Sequence, residues 1–141
     1  MQQQPALDKV PLFEGLEAKH LAVLGKMVQP RQYKDGETIV QQGEGGIGLY
    51  VIQSGEVEVT QKHGDAESRI RTMGPGESFG EIALLTDQPR SATVRALQPT
   101  ACWVMSAWEF RSALQESPEM ALRLLKTVAQ RLIEAEERAS H

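Results

Sequence analysis

Three side chains in the segment Phe79 to Ala96, FGEIALLTDQPRSATVRA, could do chemistry together: Glu81, Arg90 and Ser91. The planar guanidinium of Arg90 can grip two oxygens of one anion, and the Ser91 hydroxyl can donate to the same group. Pro89 fixes the chain direction just before them. Gly80 and Glu81 open a stretch with room for a single helical turn, Glu81 to Leu84, before TDQP ends it. Such a turn exposes its first amide N–H groups and its positive dipole end, which also suits an anion. Glu81 is the informative member. A carboxylate beside a bound anion is repulsive unless it accepts a hydrogen bond that the ligand brings, and a sugar hydroxyl brings one.

A ligand with one phosphate and one free ribose hydroxyl a few ångströms away would satisfy Arg90, the turn and Glu81 together. A 3′,5′-cyclic nucleotide has that arrangement, and its singly charged phosphodiester matches one arginine. A nucleoside triphosphate fits poorly, because no G-x-x-x-x-G-K-[ST] run is present to wrap several phosphates. The competing reading of the same residues is an Arg90–Glu81 ion pair that only closes the loop.

Composition narrows the class of protein that holds these residues. The 141 residues fit one domain, and 40% hydrophobic with 24% charged residues is ordinary for a globular chain. The single cysteine, Cys102, excludes an intrachain disulfide and suits a cytoplasmic setting. His20, His63 and His141 lie far apart without metal-ligand spacing, so no metal is expected. No apolar run approaches the ~18 residues of a membrane span, and MQQQPALDKV does not read as a signal peptide. A net charge of -4 with dispersed basic residues argues against nucleic-acid binding by this chain alone.

The elements that must position the site follow from periodicity. Leu16, His20, Leu21, Leu24, Met27 and Val28 recur at helical spacing, which predicts an amphipathic packing helix over Leu16 to Val28. KDGE, GEGG, QSGE, KHGDAES and GPGE then punctuate short segments, and GLYVIQ, VEVTQ, RIRTM, SATVRA and ACWVMS read as strands. Val57 and Val59 are expected to face one way, Glu56, Glu58 and Thr60 the other. Six to eight such strands suggest a small barrel or sandwich of the roll or jelly-roll kind. From Ser106 the period turns helical again, and Pro118 suits the first position of a long final helix. Along it Ala121, Leu125, Val128, Leu132, Ala135 and Ala139 form a stripe that could seal a homodimer or pack on the roll.

FGEIALL followed by PRSATVRA resembles the phosphate-binding cassette of the cyclic nucleotide-binding domain family, and the likeness runs from about Leu12 to Ser140 through KDGETIVQQGE, LYVIQSGEVEV and GPGESFGE. The resemblance implies a mainly β fold: an eight-stranded β-roll over about residues 28–106 after a lead-in of residues 1–11, with N-terminal helices and two C-terminal helices over about 107–139. It implies that Glu81 takes the ribose 2′-hydroxyl, that Arg90 and Ser91 hold the cyclic phosphate, that the amides of Ile82 and Ala83 complete the cradle, and that Gly80 lets the ribose approach. The function it implies is non-enzymatic sensing of a cyclic nucleotide, with cAMP favoured over cGMP because Ser91 follows Arg90 where cGMP-preferring members often carry Thr.

The base end departs from the family pattern. The positions that offer adjacent Thr and Ser to adenine in the bacterial catabolite activator hold Ala135 and Glu136 here, leaving Glu136 as an acceptor and Arg131 or Arg138 as stacking partners. The chain stops at His141, where transcriptional members continue into a helix-turn-helix domain. A stand-alone binding module is expected, with two alternatives: the effector domain of a Crp/Fnr-type regulator without its DNA-binding part, and a nucleotide-free dimerisation scaffold.

Overall fold

The computed structural model describes residues 6–140. Met1 to Pro5, the first part of the expected lead-in, and His141 lie outside them. Eight strands are present: β1 (Gln29–Tyr33), β2 (Thr38–Val40), β3 (Gly48–Ser54), β4 (Val57–His63), β5 (Ala66–Met73), β6 (Ser78–Phe79), β7 (Thr93–Ala96) and β8 (Thr100–Ser106). They form two four-stranded antiparallel sheets, ordered β1-β8-β3-β6 and β2-β7-β4-β5. The helices are α1 (Ala18–Gly25), α2 (Ala107–Glu116) and α3 (Pro118–Ala139), with 3-10 turns at Leu7–Lys9, Pro11–Phe13 and Glu81–Leu84. The fold is the expected mainly β roll with flanking helices.

β3, an inner strand of the first sheet, is apolar and buried from Gly48 to Ile52 because both its faces are covered there. Tyr50 and Ile52 point into the roll with Val57, Val59, Met73, Phe79, Val94, Cys102 and Val104. Leu49 and Val51 point the other way, into a second core with Leu12, Phe13, Leu24, Leu84, Phe110, Met120 and Leu124. Leu7 and Val10, within the segment read as lead-in, are buried in that second core. The rings of Phe13 and Phe110 stack with centroids 5.8 Å apart and fasten the N-terminal turn to α2.

The second sheet has one wet face. Val57 and Val59 are buried, and Glu58 turns outward to meet Arg69 at 2.7 Å and Arg95 at 3.2 Å. Thr60, which strict alternation groups with Glu58, is buried instead, beside a register shift in the β4–β5 ladder. KHGDAES, expected as one long turn, is mostly strand: His63 pairs with Ala66, and the polar residues belong to an exposed edge hairpin. The predicted first helix is shorter than Leu16 to Val28, since Glu17 and His20 cap each other reciprocally and start α1 at Ala18.

The ends of the roll are closed by local signals legible in the chain. The Ser106 hydroxyl accepts the Glu109 N–H at 3.1 Å and caps α2. Ser117 accepts the Met120 N–H at 3.3 Å and Pro118 takes the first turn of α3. Beyond Leu124 this helix leaves the core, and Leu125 (64% exposed), Val128 and Leu132 (58%) face outward. From Leu125 onward the stripe therefore does not pack on the roll.

Candidate functional site

A cavity of about 760 Å³ opens between the cassette and the inner face of the second sheet. Its wall is the segment Phe79 to Ala83, then Gln88 to Ala92, with Val40, Val59, Arg71, Met73 and Val94 from the strands and Lys9 from the N-terminal turn. Gly80, Glu81, Ile82, Ala83, Arg90 and Ser91 all line it, so the fold gathers every cassette residue singled out from the sequence into one place.

Arg90 is held firmly at its backbone and sparingly at its tip. Its N–H donates to Glu44 O and its O accepts from Gly43 N, each at 2.8 Å, which ties the residue to the GEGG loop. Its Nη2 donates to Gly48 O at 2.7 Å, and Cζ lies 5.8 Å from the centroid of the Tyr50 ring, itself stacked on Phe79 at 4.9 Å. The Nε–H is buried and has no hydrogen-bond partner among the described residues. No carboxylate among them pairs with Arg90 either. Burial pulls the guanidinium below its ordinary value, an effect Tyr50 partly offsets. The site thus holds a half-buried cation with a donor to spare, and a buried unpaired donor costs about 1–3 kcal/mol.

Two glycines make room for this cation. A Cβ on Gly46 would meet the Arg90 guanidinium, and one on Gly80 would meet both that group and Gly48 O. Gly80 also has φ of 86°, which a residue with a Cβ rarely adopts. Gly80 is therefore required by the arginine and by its own backbone, whatever a ribose needs.

Glu81 starts the expected single turn, which is a 3-10 turn over Glu81–Leu84. Its Oε2 accepts the Leu12 N–H at 3.1 Å and its Oε1 accepts Arg131 Nη1 at 3.3 Å. The loop-closing Arg90–Glu81 pair does not form among the described residues; Glu81 is paired with the last helix instead. Ala83 N already donates to Gly80 O at 3.1 Å, so its amide reaches an anion only by sharing or exchanging that bond. Ser91 sits exposed at the rim.

Of the residues considered for the base, Arg131 is brought to the cassette through Glu81. Ala135, Glu136 and Arg138 lie on the exposed last turns of α3 and do not line the cavity. Sequence reasoning missed Arg71 and Gly46. Arg71 stands two residues before the buried Met73 on β5, and Gly46 belongs to the GEGG segment, which reads as an ordinary turn.

One further cluster, Glu17, His20 and Glu119, brings its potential ligand atoms within 4.8 Å of one another. His20 Nδ1 accepts the Glu17 N–H at 3.2 Å, and Lys19 and Arg123 face the carboxylates of Glu119 and Glu17 at 3.2 and 3.0 Å. The cluster is a self-paired polar joint between α1 and α3.

Comparison with known proteins agrees with this geometry. The family described as "Cyclic nucleotide-binding domain" matches residues 30–117. The chain is 32% identical over 127 residues to a CRP-like cAMP-activated global transcriptional regulator of Mycobacterium tuberculosis, covering 89% of this chain and 57% of that protein. It is 35% identical over 128 residues to a cAMP-dependent protein kinase regulatory subunit of Dictyostelium discoideum, covering 88% and 39%. The crystal structure of the N-terminal domain of a Streptomyces coelicolor transcriptional regulator superposes with a TM-score of 0.82 at 30% identity, covering 90% of this chain and 91% of that one. The chain thus spans 57% or less of the two curated relatives it matches here. No helix among the described residues is long and apolar enough to cross a membrane.

Proposed function

The chain belongs to the cyclic nucleotide-binding domain family, and from that premise we propose that it is a cytoplasmic sensor module that binds a 3′,5′-cyclic nucleotide, with cAMP as its primary ligand. The family is a regulatory binding domain and not a catalytic one. The observation that carries the proposal is Arg90: a half-buried guanidinium in a cavity, whose Nε–H has no hydrogen-bond partner and which forms no ion pair with a carboxylate among the described residues. A singly charged cyclic phosphodiester supplies both the acceptor and the counter-charge. Ser91 adds a hydroxyl at the rim, and Glu81 accepts the ribose 2′-hydroxyl. The cAMP preference is supported by Ser91 and by the names of the Mycobacterium and Dictyostelium relatives.

The output side is the last helix. Arg131 binds Glu81 directly, so a ligand that engages Glu81 alters a contact of α3 and gives the helix different stabilities with and without nucleotide. The exposed Leu125, Val128 and Leu132 support a homodimer through that helix. The same leucines favour a second reading, a dimerisation scaffold that needs no nucleotide. The module also suits the effector role in a regulator whose DNA-binding part lies on another segment.

Calorimetric titration with cAMP and cGMP, alongside a melting scan, separates these readings. A ligand bound only by the folded state at one hundred times its dissociation constant adds about 2.7 kcal/mol. That corresponds to roughly 5–10 °C for a chain of this size, and ATP should add little. No heat and no shift with any cyclic nucleotide at millimolar concentration would leave the scaffold.

A further inference from the structure

Tyr50 stands behind Arg90 and outside the cavity. It lies on β3 and is 4% exposed, and its ring stacks almost parallel on that of Phe79, its partner across the β3–β6 ladder, with centroids 4.9 Å apart. Arg90 and Phe79 line the cavity, whereas Tyr50 does not. The Arg90 Cζ lies 5.8 Å from the Tyr50 centroid, within reach of a cation–π contact. Two residues before Tyr50, Gly48 O accepts Nη2 at 2.7 Å, so one strand offers both a carbonyl and a ring face to the same guanidinium. Burial pushes the Tyr50 phenol above its ordinary value, against the pull of Arg90, and keeps the ring neutral. Among the described residues no carboxylate pairs with Arg90.

We propose that Tyr50 is a positioning residue for Arg90, holding the guanidinium by its ring face where a carboxylate could otherwise hold it; this rests on the reading that the cavity binds a cyclic nucleotide through Arg90. The difference matters for an anion site. A buried carboxylate would take parallel N–H groups of the fork and cancel its charge, leaving little for a ligand. An aromatic face attracts the cation through its quadrupole and accepts none of those N–H groups in return. Arg90 is thus oriented while its charge and its unpartnered Nε–H stay available to a phosphate. The ring is fixed in turn by the stack on Phe79, the residue before Gly80, so the cassette opens from the same aromatic pair that anchors its arginine. The hold depends on the face of the ring and not on the hydroxyl.

The test compares the intact chain with Tyr50→Phe, with Tyr50→Leu and with a trifluorinated phenylalanine at the same position, which keeps the shape of the ring and removes the negative potential of its face. Calorimetric titration with cAMP should place Tyr50→Phe within about twofold of the parent, and the fluorinated and Tyr50→Leu variants roughly three- to tenfold weaker, the range of one partly buried cation–π contact. Tyr50→Leu also leaves space in the core, so the comparison that decides is phenylalanine against its fluorinated form, which should share one melting temperature. In the ligand-free protein the ring current of Tyr50 should hold the Arg90 Nε–H resonance upfield of its position in Tyr50→Leu. Equal cAMP affinity of the phenylalanine and fluorinated variants would reduce Tyr50 to packing, and an equal loss in both relative to the parent would assign the effect to the hydroxyl; either overturns the proposal while leaving a cyclic-nucleotide site. Failure of the parent to bind cAMP would instead remove that site, and the Arg90 Nε–H shift would then decide alone whether the ring holds the cation.

Discussion

Arg131, in the second half of α3, donates from Nη1 to Oε1 of Glu81 at 3.3 Å, while the other oxygen of that carboxylate accepts the Leu12 N–H at 3.1 Å. One side chain thus joins the cassette, the N-terminal turns and the last helix. A carboxylate has about four acceptor sites, so a ribose hydroxyl can be added without displacing both partners. Glu81→Ala is expected to erase discrimination between cAMP and 2′-deoxy-cAMP, and Arg131→Ala to preserve it. Competition binding with the two nucleotides checks this. A Glu81→Ala variant that still rejects the deoxy compound would take the ribose away from Glu81.

The absence of an Arg90–Glu81 pair among the described residues gives a second expectation, for the ligand-free protein. A double-mutant cycle on Arg90→Ala and Glu81→Ala, followed by urea unfolding, should show additivity within about 0.5 kcal/mol. Binding should behave differently: Arg90→Ala should remove about 2–5 kcal/mol, as expected when one partner of a desolvated charge pair is truncated. A large coupling in the ligand-free protein would restore the loop-closing pair.

The helix beyond Leu124 is where a signal would appear. Hydrogen exchange along Leu122 to Arg138 should slow when cAMP is added, because the ligand strengthens the elements that Glu81 ties to α3. Unchanged protection on saturation would mean that the nucleotide is held without any message passing through the last helix.

Much of this was legible in the chain because the signals are local. Ser106 and Ser117 with Pro118 mark the helix starts, and the cassette turn falls on Glu81–Leu84 as the Gly-Glu opening and TDQP ending imply. β1, β2 and β6 are not legible as strands: QPRQY is polar and pairs along an outer edge, and Thr38–Val40 and Ser78–Phe79 are too short to show a period. The site was read as a list of residues and not as a geometry. Nothing local says that Gly46, far along the chain from Arg90, gives its guanidinium room, or that Arg131 reaches Glu81. Those contacts depend on how the roll closes, and only the three-dimensional structure contains them.

Glu58 gives the fold a pH dependence away from the site. The hydrogen bond from Arg69, more than the one from Arg95, holds its carboxyl below the ordinary value of 4.5. The unfolded chain takes up that proton first as pH falls, so the stabilisation is complete above about 4.5 and is lost as pH drops through the lower folded value. Glu58→Gln should therefore flatten the acid limb of a stability profile measured by urea midpoints from about pH 3 to 7. A parallel profile displaced by a constant amount would show that Glu58 acts through packing alone.

The central claim is that the buried Nε–H of Arg90 is the donor a cyclic phosphate satisfies, and the proton itself can be observed. In a proton–nitrogen correlation spectrum of labelled protein, the Arg90 Nε–H resonance is identified by its loss in Arg90→Lys. On titration with cAMP this resonance should move strongly downfield and its exchange with water should slow, as a new charge-assisted hydrogen bond requires. Saturation with cAMP that leaves the Arg90 Nε–H shift and exchange rate unchanged, while calorimetry reports binding, would place the phosphate elsewhere and contradict the account.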